Sequence, residues 1–84
     1  MNGGTKMKLE VAIKTRMINL CKERHITINK LSTMAGITQS TLDSIVHGKS
    51  MNPTTMTILR ICRALDMELY QFFKDDIFKG IDND

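Results

Sequence analysis

Apolar residues in the first third of the chain, Ile13, Met17, Leu20 and Cys21, fall at i, i+4, i+7 and i+8, one side of a helix with 3.6 residues per turn. This spacing predicts a helix from about Leu9 to Arg24, with Lys14, Arg16, Lys22 and Arg24 on its solvated face. Further along, in TINKLSTMAGITQSTLDSIVHGK (Thr27 to Lys49), Leu31, Ser32, Ala35, Ile37, Leu42 and Ile45 form one inward set of apolar and small residues. The set fits two short helices, about Ile28 to Ala35 and about Gln39 to Val46. Gly36 falls where the chain must turn through positive φ, as a residue just past a helix end does. Thr27 and Thr38 are each placed to cap the helix that follows, by accepting from its unpaired N–H groups.

After a turn-rich link, His47 to Pro53, Thr54 is placed to cap a fourth helix, about Thr55 to Leu65, with its stripe at Ile58, Ile61, Cys62 and Leu65. A short fifth helix, about Glu68 to Phe73, brings Leu69, Phe72 and Phe73 toward the core. No strand-like alternation occurs, so the chain reads as all-α with five helices. We expect a disordered start at residues 1–7, one helical domain over 8–74 and an acidic C-terminal tail over 75–84. The tail's apolar residues, Ile77, Phe78 and Ile81, either fold back onto their own domain or form a dimer or partner surface.

Eighty-four residues suffice for one core, and no apolar run approaches the roughly 20 residues that cross a bilayer. Met1 to Lys8 has no apolar segment of signal-peptide length, so a cytoplasmic protein is expected. Cys21 and Cys62 lie on the helical stripes and read as small buried hydrophobes in a reducing compartment. Neither they nor His25 and His47 have zinc-ligand spacing, and no metal or cofactor is expected. With both thiols on core-facing stripes and no acid placed beside His47 by the sequence, the chain lacks the nucleophile and base of an enzyme.

Charge is uneven. Residues 1–63 hold ten Lys or Arg against three acids, and residues 64–84 hold two against six. A basic body with an acidic end suits a polyanionic partner for the body.

From about Ile13 to Phe73 the chain resembles the Cro/repressor (Xre-type, lambda-repressor-like) helix-turn-helix family. Leu31, Gly36, Ile37, Thr41, Leu42, Ile45, Gly48, Lys49, Pro53, Leu65 and Leu69 carry the resemblance. What it implies is a five-helix DNA-binding domain in which helices 2 and 3 form the helix-turn-helix and helix 3 enters the major groove. On that helix Gln39, Ser40, Asp43 and Ser44 are short polar residues suited to base edges: Gln39 to adenine, Asp43 to a cytosine amino group, and the serines to either base type. Phosphate contacts fall to the helix starts at Thr27, Thr38 and Thr41 and to Lys49 and Asn52 in the following loop.

Two positions depart from the family pattern. Ile28 replaces a Gln that bonds a phosphate. Cys21 and Val46 together replace an Arg and Glu that pair between helices, an exchange the fold tolerates because a buried ion pair is often no better than apolar packing.

The expected function is a sequence-specific transcriptional regulator, a repressor, acting on double-stranded DNA as a homodimer at a palindromic operator. A protein antagonist is a possible further partner. Met51, Met56, Ile77, Phe78 and Ile81 are the candidate dimer residues. The alternative is a protein-interaction module, an antitoxin-like or adaptor subunit, with DNA binding secondary.

Overall fold

In the computed structural model, residues 7–47 and 52–82 are described. Within them the helices are α1 (Leu9–Glu23), α2 (Ile28–Ala35), α3 (Gln39–Val46), α4 (Thr55–Ala64) and α5 (Leu69–Phe72), followed by a 3-10 turn at Asp76–Phe78. The expected helices are all present; the first and fourth are one residue shorter at the C-terminal end and the fifth one residue shorter at each end. Gly48, Lys49 and Met51 fall outside the described residues, as does the expected disordered start up to Lys6.

Each helix begins and ends for local chemical reasons. The hydroxyls of Thr27, Thr38 and Thr54 accept from the backbone N–H of Lys30 (3.0 Å), Thr41 (3.2 Å) and Thr57 (3.1 Å). Each cap contributes about 1 kcal/mol relative to Ala. At the far ends, α1, α2 and α4 stop in the same way. His25, Gly36 and Asp66 adopt φ of 56°, 68° and 57°, and the next residue sends its N–H back five positions: Ile26 to Cys21, Ile37 to Ser32 and Met67 to Cys62, each 3.0 Å. These bonds satisfy carbonyls that the helix end leaves open, and the apolar residue that makes each one packs on the core. One device, a left-handed residue then an apolar plug, thus connects three helix pairs whose sequences do not repeat.

The core comprises Ile13, Met17, Leu20 and Cys21 of α1, Leu31, Leu42 and Ile45 of α2 and α3, Ile58, Ile61, Cys62 and Leu65 from α4 and its end, and Phe72 of α5. Helix α2 packs against α1, α3 and α4, so the helix-turn-helix is braced from two sides. Cys21 is part of this cluster and Val46 packs against it, two positions where the family pattern has charge. Burial pushes both thiols above their ordinary pKa; at Cys62 the nearby Arg16 charge opposes that rise and Glu68 adds to it.

Arg16 corrects the expected solvated face of α1. It is 9% exposed, and its guanidinium donates to Phe72 O (2.8 Å), Gln71 O (2.9 Å) and the Asp75 carboxylate (3.2 Å). A buried Arg needs every donor placed, and the open carbonyls at the end of α5 supply the places. Arg24 likewise donates to Leu65 O at the end of α4.

The acidic segment from Asp75 lies on the bundle. The Phe78 ring centroid is 5.1 Å from that of Phe73 and 6.1 Å from that of Phe72, and Ile77 and Ile81 are half-buried. Asp82 N donates to Met7 O at 3.0 Å, and a parallel bridge joins Lys8 to Asp82. No helix among the described residues is long and apolar enough to cross a membrane.

Candidate nucleic-acid interface

Leu42 and Ile45 turn one side of α3 into the core, 0% and 5% exposed, and so decide which side faces out. Residues a half-turn away from them are displayed. Gln39 and Ser40, in the first turn, are exposed, while Thr41, Asp43 and Ser44 are half-buried. Apart from the ends of α3, none of these side chains is bulky, so the helix axis can approach a partner closely.

Hydroxyl geometry divides the work at the start of α3. Thr38 Oγ1 accepts from Thr41 N and donates to Thr41 Oγ1 at 2.8 Å. Its proton is therefore spent within the protein, and at this end an anion would meet the Thr41 hydroxyl proton and the N–H groups of the first turn. The first four N–H groups of a helix have no intrahelical acceptor, and with the helix dipole they favour negative charge. Thr27 is exposed and capped onto Lys30 at the start of α2, presenting the same kind of terminus.

The second group of expected contacts is only partly visible. Asn52 is exposed immediately before Pro53, whereas Lys49 lies outside the described residues. Helix α3 contains no cation, and its one charged residue is Asp43. Positive charge for a phosphate partner must come from other elements, and Lys30, exposed in the first turn of α2, is a lysine to which the sequence reading assigned no contact. The signal was present in the sequence, a lysine two residues from an exposed helix start, but any surface lysine looks alike without knowing which ends share a face.

The Asp43 side chain makes no hydrogen bond or ion pair among the described residues. Ser44 Oγ donates to Ser40 O at 3.0 Å. No group of three or more His, Cys, Asp or Glu suited to a metal occurs among the described residues. The arrangement is one of hydrogen-bonding groups on a rigid helix, with the two thiols enclosed in the core.

Comparison with known proteins agrees in fold and in kind. The sequence model of the Cro/C1-type HTH DNA-binding domain matches residues 16–76. Among solved structures, that of prophage Lp1 protein 11 is similar with a TM-score of 0.79 and 27% sequence identity, covering 89% of this chain and 99% of that one. No curated protein matches.

Proposed function

The chain belongs to the Cro/C1-type helix-turn-helix DNA-binding family, and from that premise we propose that it is a sequence-specific transcriptional regulator, a repressor, that inserts α3 into the major groove. The observation that carries this reading is the first turn of α3: exposed Gln39 and Ser40 stand beside amides and a Thr41 hydroxyl proton that are open to a phosphate. Short polar groups meet the bases while the helix start holds the backbone. Lys49, Asn52 and Thr27 extend the backbone contacts on either side.

A single eight-residue helix reads few base pairs. Two copies related by a two-fold axis read a palindrome with half-sites about 10 bp apart, so the working form is a homodimer in the cytoplasm. Of the residues named for the dimer face, Met56 is 57% exposed and supports that role better than Phe78, whose ring is engaged within its own domain.

In vitro selection of duplex DNA by the purified protein tests the proposal. A palindromic motif is expected, with affinity that falls steeply as salt rises because phosphate contacts release counterions. Failure to enrich any sequence at low salt, with stable capture of a protein partner instead, would turn the reading to an interaction module. The exposure of Tyr70, 67%, is the feature that would then matter.

A further inference from the structure

What α3 offers a base depends on where its hydroxyl protons point. Ser44 Oγ lies 3.0 Å from the carbonyl oxygen of Ser40. A carbonyl has no proton to give, so Ser44 is the donor, and only its oxygen lone pairs remain for an outside partner. The Asp43 side chain, one residue earlier, is half-exposed and has no hydrogen bond among the described residues; an ionised carboxylate also only accepts. The Gln39 amide and the Ser40 hydroxyl can both give and receive. Donors and acceptors at the start of α3 therefore give way to acceptors alone in its second half.

In the major groove each base pair shows one exocyclic amino group, adenine N6 or cytosine N4, while guanine O6 and N7 and thymine O4 are acceptors. An acceptor surface is attracted to the amino groups and repelled by the rest. The carboxylate discriminates further, because adenine N6 stands beside the lone pair of N7, which would face the second oxygen of Asp43. Cytosine N4 has a carbon-bound hydrogen beside it. A single hydroxyl oxygen meets no such conflict.

We infer that the second half of α3 reads amino groups, Asp43 selecting cytosine and Ser44 accepting from either adenine or cytosine at its own position in the half-site. The inference rests on the reading in which α3 enters the major groove. It gives Ser44 a preference that its residue type alone left open, and gives the Asp43–cytosine pairing a ground in what the helix displays.

Parallel selections with the wild-type chain, Asp43→Asn and Ser44→Ala locate the two positions, as those where base preference changes. The Asp43 position is expected to change from cytosine to adenine, since Asn can bond adenine N6 and N7 together. The Ser44→Ala variant is expected to lose its preference for amino bases. Wild-type protein is then titrated with operator in which 2-pyrimidinone, a cytosine analogue without the amino group, replaces the cytosine facing Asp43; affinity should fall roughly tenfold.

Repeated at each cytosine of the wild-type motif in turn, that last measurement uses only the unaltered chain and so stands even if a variant folds poorly. An enriched palindrome whose base preferences neither variant changes, or full affinity for the 2-pyrimidinone operator, would overturn the inference and leave the DNA-reading function intact. If no sequence is enriched at all, both fall together.

Discussion

Replacing Arg16 by Ala removes three hydrogen bonds at once, and their surroundings set the cost. The Nε bond to Phe72 O is buried, so leaving that carbonyl without a donor costs about 1–3 kcal/mol. The Gln71 carbonyl is partly open to water, which limits its loss to about 1 kcal/mol. The ion pair matters least, since the Asp75 side chain is 39% exposed and such pairs contribute about 0–1 kcal/mol. With the packing of the arginine stem, the total comes to about 3–5 kcal/mol. A domain has about 0.05–0.15 kcal/mol of stability per residue, so this is about a quarter or more of the whole. Urea unfolding followed by far-ultraviolet circular dichroism reads it as a lower midpoint at similar slope, and thermal unfolding as a loss of about 4–8 °C for each kcal/mol. Asp75→Asn is the control and should cost about 1 kcal/mol at most. Equal losses in the two variants would refute the reasoning, because the arginine's role would then lie in the ion pair and not in closing the end of α5.

Other outcomes follow from single features. Gly36→Ala should cost about 1–2 kcal/mol in the same unfolding assay, purely from the left-handed backbone, since a Cβ there meets nothing within 4 Å. Burial raises the pKa of Cys21 and Cys62 above the 9.0 of a free thiol; the folded state favours the protonated form, so stability is full below pH 9.0 and declines as pH rises through the raised values. A thiol reagent at neutral pH should accordingly label the folded chain slowly and the urea-unfolded chain fast, and equal rates would contradict enclosure. Gln39→Ala should weaken operator binding by about 1–3 kcal/mol and relax preference at one position, checked by fluorescence anisotropy on single-base operator variants. Lys49→Ala should weaken all sequences alike and lower the salt slope by about one unit.

The elements were readable because their signals are local. A threonine before an apolar run, a stripe at i, i+3, i+4 and a glycine past the last periodic residue mark a helix within about a dozen residues, and Thr27, Thr38, Thr54 and Gly36 all act as those signals indicate. Ser40 was legible as a displayed residue for the same reason, lying opposite Leu42 and Ile45, and Gln39 as a polar residue in the first turn. Arg16 was not. Its spacing from Ile13 put it on the inner side of α1, but its charge argued for solvent, and the carbonyls that resolve the conflict lie 55 and 56 residues away. His25 and Asp66 escaped notice because left-handed helix ends are expected at Gly. The split between donors and acceptors along α3 was equally hidden, since a serine reads the same in sequence whichever way its proton points.

Order of synthesis gives the Arg16 clasp a further meaning. Helices α2, α3 and α4 find their neighbours within a short span of chain, and they can assemble while later residues are still being added. Helix α1 also packs on α2 and α3, but its Arg16 side is completed only by residues 55 or more positions later. Until Gln71, Phe72 and Asp75 have left the ribosome, the Arg16 guanidinium has none of its partners and stays in water, keeping that side of the first helix from closing. The contacts thus separate a local part, α2 to α4 with the inner side of α1, from a clasp that needs the chain as far as Asp75.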